Sequence, residues 1–325
     1  MCTAVTYQSN AFYFGRTLDY EHGFGERVVI TPRQFPLTFR HMGRLDRHYA
    51  IIGMACVAEG YPLYFDGINE KGLGMAGLNF VGNAHYRQPL SGRDNVAGFE
   101  FISWILGQCA SVKEAVAKMK KVNLTGESFS RDYPPAELHW MVADREEAVT
   151  VEPAEEGLRI YPNPVGVLTN NPPFDEQLFR LNDYMGLSPE TPENRFSGQV
   201  CLKAYSRGMG ALGLPGDLSS QSRFVRAAFV KLNSPARKTE GESVGQFFHI
   251  LGSVEQTLGC CEVEGGEYEI TRYTSCCNGD RGIYYYTTYG NHRITAVDMH
   301  REALDGNSLC CYPLVQGEQI HRLNG

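Results

Sequence analysis

The apolar positions of this chain separate into short strand-like runs and a smaller set of stretches with a helical period. Two runs at residues 3–7 and 11–16 lie close enough to predict an opening β-hairpin. Residues 50–58 and 72–80 read as two more strands. Between them, Asp66-Gly67-Ile68-Asn69-Glu70-Lys71-Gly72 carries turn chemistry and predicts a second hairpin. Residues 99–108 are mostly apolar and read as a helix. Ser111-Val112-Lys113-Glu114 then reads as a capping box for a helix running to about residue 122. Short alternating runs follow at 138–143, 148–152, 158–161 and 165–168, split by charged turns, and predict an antiparallel meander. Its last strand leads into the polar loop Thr169-Asn170-Asn171-Pro172-Pro173.

Residues 174–184 predict a further helix. The next stretch, 187–218, is rich in Pro, Gly and Ser and has little period, and an ordered excursion of that length predicts a functional loop or an assembly arm. Helices open again at Ser219 and Val244, and the runs 268–276 and 283–288 give another hairpin. Strands flanked by helix pairs, with a meander in the middle, predict an α+β fold of two stacked sheets covered by helices. No internal repeat and no boundary divides the chain, so one domain over residues 2–325 is expected.

Composition narrows the function classes. The 325 residues are 42% hydrophobic and 21% charged, as in a soluble globular protein with a large core. A net charge of −7, with no basic cluster longer than residues 118–121, argues against nucleic acid as a partner. No run of eighteen apolar residues exists, so no membrane helix is expected. The first residues lack the basic and apolar regions of an export signal, which predicts a cytoplasmic protein whose ten cysteines are reduced thiols.

Candidate chemistry concentrates at the start of the chain. Cys2 follows Met1, and a methionine aminopeptidase is expected to remove Met1 because the next side chain is small. Cys2 would then carry a thiol with an intrinsic pKa near ~8.5 and a free α-amine near ~7.7–8.0, so the amine can accept the thiol proton near neutral pH. The thiolate is the reactive form, and nearby cations favour it. The predicted hairpin returns Arg16 and Asp19 to the end where Cys2 begins, the arginine favouring the thiolate and the carboxylate holding the amine. From the N-terminus alone, a plain core role for Cys2 is the alternative.

Other motifs carry less. Gly72, Gly74 and Gly77 spell G-x-G-x-x-G, but inside a strand and with no helix following, so no dinucleotide site is predicted. A glycine-rich strand instead predicts close approach of a ligand or another backbone. Gly241-Glu242-Ser243-Val244-Gly245 matches a nucleophile elbow, yet polar residues precede it, and Ser243 reads as a helix N-cap. The adjacent pairs at 260–261, 276–277 and 310–311 lack C-x-x-C spacing, and the nine histidines lack ligand spacing. No metal and no organic cofactor are expected. His139, inside a strand, reads as a satisfied core residue.

Seven short stretches then occur in order nearly end to end: Met-Cys-Thr at 1–3, Phe-Gly-Arg-Thr-Leu-Asp at 14–19, Asp-Gly-Ile-Asn-Glu-Lys-Gly-Leu at 66–73, Ala-Gly-Leu-Asn-Phe at 76–80, Val-Leu-Thr-Asn-Asn-Pro at 167–172, Gly-Leu-Pro-Gly-Asp at 213–217 and Ser-Arg-Phe-Val-Arg at 222–226. With them the chain resembles choloylglycine hydrolases, the conjugated bile acid hydrolases of gut bacteria in the N-terminal-nucleophile hydrolase superfamily. The resemblance implies a four-layer αββα sandwich and functional roles for Cys2, Arg16, Asp19, Asn79, Asn170 and Arg223. Asn79 and Asn170 would end strands with an amide donor suited to an oxyanion hole, with Asn171 open as the alternative to Asn170. Arg223, at a helix start, would hold carboxylate and carbonyl groups in a fixed fork.

The implied reaction is cleavage of the amide of glycine- or taurine-conjugated bile acids through a Cys2 thioester, which an amine can also intercept. A homotetramer is implied, with 187–218 as the candidate arm. Penicillin V acylases look similar over much of the chain, but tend to carry tyrosine at the place of Asn79, so asparagine favours bile salts. Leu18, Phe24 and Phe65 are expected near an apolar cleft for the steroid, with core or surface positions as their alternatives. The competing functions are penicillin V acylase, a non-catalytic steroid-binding protein, and a thiol- or zinc-based regulatory protein using the paired cysteines.

Overall fold

In the computed structural model, which describes residues 1–324, the chain opens on the predicted hairpin, β1 (Cys2–Gln8) with β2 (Phe12–Tyr20). The next strands are β3 (Arg27–Thr31), β4 (Leu37–Phe39), β5 (Gly43–Leu45), β6 (Ile51–Ala58), β7 (Tyr61–Asn69), β8 (Gly74–Asn79) and β9 (Asp94–Ala97). Helices α1 (Phe101–Leu106) and α2 (Val112–Met119) precede β10 (Val122–Thr125), β11 (Leu138–Ala143), β12 (Ala148–Ala154), β13 (Gly157–Pro162) and β14 (Val167–Leu168). Helices α3 (Phe174–Arg180), α4 (Ser220–Leu232) and α5 (Glu240–Gly252) follow, and the last strands are β15 (Ile270–Asn278), β16 (Ile283–Thr288), β17 (Asn291–Asp298) and β18 (Cys310–Pro313).

Two antiparallel sheets stack face to face, one in the order β14-β1-β2-β15-β16-β17 and the other β13-β12-β11-β8-β7-β6-β3-β18. Helices α4 and α5 cover the first, and α1 and α2 the second, which is the αββα arrangement the resemblance implied. One core fills the space between the sheets and under α4 and α5; a second lies between the outer face of the larger sheet and α1 and α2. Because both faces of the central strands are covered, β1 and β2 are buried at nearly every position instead of at alternate ones. Sheet stacking also explains the glycine-rich strand: a Cβ on Gly74 of β8 would lie 2.7 Å from the Phe14 ring on the facing sheet.

Four local expectations change. Asp66 to Asn69 finish β7, a strand between the two predicted ones, so β6, β7 and β8 form a meander and the turn shrinks to residues 70–72. Pro62 and the Asp66-Gly67 pair had hidden that strand. The run at 165–168 leaves the predicted meander: β14 pairs with β1, Ala4 opposite Leu168 and Val5 opposite Val167. Helix α2 stops at Met119, and Val122 instead opens β10, parallel to β9. Ser243 is not a cap but a buried residue inside α5, whose cap is Thr239. The 187–218 excursion holds one 3-10 turn, Met209–Ala211, and is otherwise loops and short turns.

Candidate active site

The hairpin register sets Cys2 opposite Leu18 and Ala4 opposite Arg16, so thiol, apolar wall and guanidinium share one end of the sheet. Cys2 is buried and lines a cleft of about 480 Å³, mostly apolar, that reaches across β6, β7 and β8 to the loop at 129–136. Leu18, Phe24 and Phe65 all line it, and the Phe24 and Phe65 rings lie 5.6 Å apart. Cys56, Phe129 and Tyr133 complete the far wall, with Cys56 Sγ 3.4 Å from the Tyr133 hydroxyl. Sequence reading missed Phe129 and Tyr133 because their loop is polar and proline-rich, with no period to mark it, and Cys56 because it lies inside a strand, on β6.

The Cys2 nitrogen donates to Asn170 Oδ1 at 2.9 Å. Arg223, fully buried in the first turn of α4, ties the same place together. Its Nη1 donates to the Cys2 carbonyl and to Thr3 Oγ1, both at 2.6 Å, and its Nη2 donates to Asn170 Oδ1 at 2.8 Å. Burial presses the Arg223 pKa down, while Asp19 and Cys2 favour its charge. Asp19 Oδ2 lies 3.9 Å from Arg223 Nη1, and the carboxylate accepts from Thr271 Oγ1 at 2.7 Å and Thr17 Oγ1 at 3.2 Å. With Met1 in place, the hydrogen-bond acceptor at the Cys2 nitrogen is Asn170.

Met1 occupies the space next to that nitrogen. Its amine donates to the Asp19 carbonyl at 2.6 Å and is paired with the buried Glu269 carboxylate. Burial lowers the pKa of this amine, against the opposing pull of Cys2 and Asp19.

Arg16 is buried at the base of the cleft. Its Nε donates to the Thr17 carbonyl at 3.0 Å and its Nη1 to the Gly77 carbonyl, while the buried Nη2 has no partner among the described residues. Burial opposes its charge, but Cys2, Tyr273, Asp66 and Asp19 outweigh that and hold its pKa above the ordinary value. Asp66, read from sequence as a turn residue, is a fully buried carboxyl that accepts from Tyr273 at 2.5 Å, Tyr284 at 2.7 Å and Ser275 at 3.2 Å. Burial pushes its pKa up, with Arg16 the strongest group pulling it back. Tyr273 is 207 positions away, so no local signal marks this site.

Asn79 ends β8 and lines the cleft, and its carbonyl accepts from Asn170 Nδ2 at 2.8 Å. Asn170 thereby bridges Asn79 and the Cys2 nitrogen, one N–H of its NH2 group going to the Asn79 carbonyl and its oxygen accepting from Cys2. Asn171 points elsewhere, its Nδ2 donating to the Val81 carbonyl at 2.7 Å, so Asn170 is the member of the pair that reaches Cys2.

Residues 2–312 match the model of the linear amide C–N hydrolases, choloylglycine hydrolase family. This chain belongs to the choloylglycine hydrolase family. It is 56% identical over 324 residues to a bile salt hydrolase/transferase of Lactiplantibacillus plantarum, covering 100% of both chains. A bile salt hydrolase/transferase of Clostridium perfringens is 36% identical over 332 residues, again with 100% of both chains covered. Among solved structures, a mutant conjugated bile acid hydrolase from Clostridium perfringens superposes with a TM-score of 0.93 at 35% identity over 100% of both chains. Penicillin V acylase from Agrobacterium tumefaciens shares the fold, with a TM-score of 0.75 at 21% identity over 97% of this chain and 92% of that one.

As a choloylglycine hydrolase family member the protein is an enzyme acting on a linear amide C–N bond. Such a reaction needs a nucleophile, a proton carrier for the leaving nitrogen and donors for the developing oxyanion. Cys2, Arg16 and Asn79 line the cleft and bring it a thiol, a guanidinium and an amide.

Proposed function

We propose that this chain hydrolyses the amide bond of glycine- or taurine-conjugated bile acids, with Cys2 as the N-terminal nucleophile after removal of Met1. The observation that carries the reading is the placement of the Cys2 thiol on an apolar cleft while its own nitrogen is held by Asn170 at 2.9 Å. The free α-amine takes the thiol proton, and the thiolate attacks the amide carbon. Asn79 and Arg16 Nη2 meet the oxyanion, one such donor being worth about 2.7–4 kcal/mol of barrier. The amine then hands its proton to the leaving nitrogen, and glycine or taurine departs. Water, deprotonated by the same amine, attacks the thioester and releases the bile acid with the thiol restored. An amine attacking in place of water gives acyl transfer.

The apolar walls at Leu18, Phe24 and Phe65 suit a steroid, and the full-length similarity to proteins named as bile salt hydrolases supports that choice. A cytoplasmic homotetramer completes the proposal, with exposed Phe196, Leu202 and Tyr205 on the 187–218 excursion as candidate contacts. Intact mass of the purified protein, before and after iodoacetamide, should give a chain lacking Met1 that takes a label at Cys2. That preparation should release taurine and glycine from taurocholate and glycocholate faster than it opens penicillin V by amide cleavage. No release from any bile conjugate by correctly trimmed protein rejects the substrate, and full turnover by Cys2→Ala rejects the nucleophile.

A further inference from the structure

We infer that His139 and Glu152 form a buried, proton-sharing pair that positions Asn170 and, through it, the Cys2 amine. The inference rests on the reading of Cys2 as the nucleophile. His139 stands on β11 and Glu152 on the adjacent β12, and both are buried. His139 Nε2 lies 2.8 Å from the Thr169 carbonyl, and Nδ1 lies 3.1 Å from Glu152 Oε1. The same Oε1 accepts from the Phe174 nitrogen at 3.0 Å. The pair thus grips both ends of the loop from Thr169 to Phe174 that carries Asn170.

Two further contacts extend this grip to the site. Phe80 stacks on the His139 ring at 4.3 Å with the planes 8° apart, and Phe80 follows Asn79 directly. The Asn170 nitrogen donates to Ser220 Oγ at 2.8 Å, and that hydroxyl donates to Thr169 Oγ1 at 3.0 Å. Both asparagines of the site therefore have neighbours fixed by one imidazole.

Proton counting makes the pair specific. A carbonyl oxygen only accepts, so Nε2 carries hydrogen, and a neutral imidazole has no second N–H for Nδ1. The Nδ1–Oε1 contact needs one more proton, shared with a carboxylate that at the same time accepts from Phe174. A glutamine at 152 cannot supply this arrangement. With its oxygen toward Phe174 it brings no proton to Nδ1, and with its NH2 there it faces the Phe174 N–H. Neutral His139 must then give up one of its two contacts. Around the ring, Nδ1 faces Glu152, Nε2 faces the Thr169 carbonyl and Phe80 covers a face, while Tyr161 on β13, close to both Glu152 and Asp175, is a further titratable group.

The test is Glu152→Gln in the full-length protein, read by kcat and KM for glycocholate, by the rate of Cys2 alkylation with iodoacetamide, and by melting temperature. At about pH 8, kcat and alkylation should fall roughly ten- to a hundredfold with KM nearly unchanged, since a small misplacement costs that much. His139→Phe keeps the stack on Phe80 but has no donor, so it should show the same loss of kcat and alkylation with KM nearly unchanged. Wild-type rates in Glu152→Gln or in His139→Phe, or a rise in KM with kcat intact, each overturn the inference. If wild type itself leaves glycocholate intact, the proposed substrate fails while the alkylation rates still decide the role of the pair.

Discussion

Asn170 accepts a hydrogen bond from the Cys2 nitrogen at 2.9 Å with one end of its amide and donates to the Asn79 carbonyl at 2.8 Å with the other. Arg223 Nη2 adds a second donor to the same oxygen at 2.8 Å. A flipped amide would set its NH2 against both donors, so its orientation is fixed by its partners. Because β14 sits beside β1 in one sheet and Asn79 ends a strand of the other, this amide also ties the two sheets together at the nucleophile.

Asn170→Ala removes all three bonds and leaves the Cys2 amine without an acceptor. The expected result is a loss of roughly a hundredfold in kcat for bile-salt hydrolysis, with KM changed only a few-fold, because the substituted side chain orients the nucleophile and does not wall the cleft. Steady-state kinetics of glycine release checks this. A rise in KM with kcat intact would place Asn170 in substrate binding instead.

In a chain that retains Met1, the methionine amine meets Glu269 and the Asp19 carbonyl beside Cys2. In such a chain the Cys2 nitrogen is an amide, which has no basic lone pair to take the thiol proton. Protein carrying an uncleavable N-terminal extension should therefore melt near the trimmed protein yet turn over at background rate. Circular dichroism and taurine release on the two forms, each verified by intact mass, test the prediction.

How much of this was legible in the sequence follows from how far each contact reaches along the chain. Cys2, Leu18 and Arg16 meet through a hairpin register, which short-range patterning predicts. Asn170 and Arg223 were reached through resemblance alone: β14, which leads to Asn170, pairs with β1 instead of continuing the meander, and Arg223 arrives on α4 from 221 positions along the chain. Asp66 and Glu269 were missed for a different reason. Each is an acidic residue that local sequence assigns to a turn or a strand start, and each is buried by partners brought in from the other end of the chain. Ser243 erred in the opposite direction: its motif is real, but the helix begins earlier, at Thr239, and folds the serine inward onto Asn10.

The Phe65 and Phe24 rings lie 5.6 Å apart and both line the cleft. Phe65→Ala should weaken steroid binding by about 1.5 kcal/mol, near the low end for a buried aromatic, which is roughly a tenfold rise in KM. The rate at saturation should change much less. Titrating taurocholate against initial rate gives both values, and an equal fall in kcat would mean that Phe65 also orients the scissile amide.

Lys231 offers a test of the fold that is independent of the chemistry. Its Nζ donates to the Val165 carbonyl near the end of α4, and burial alone brings its pKa from 10.5 to about 8. Between those values the unfolded chain holds a proton that the folded protein has released, so stability rises with pH across that window. Below it both states are protonated, and the cost of burying the ammonium is fully present. Lys231→Met fills similar space without the charge, so the variant should be more stable than wild type at about pH 7. That advantage should shrink steadily as the pH is raised from about 8 to 10.5, because only wild type gains stability there. Urea denaturation of both proteins at several pH values measures the difference, and a gap that stays constant would mean that the lysine is solvated in the folded state.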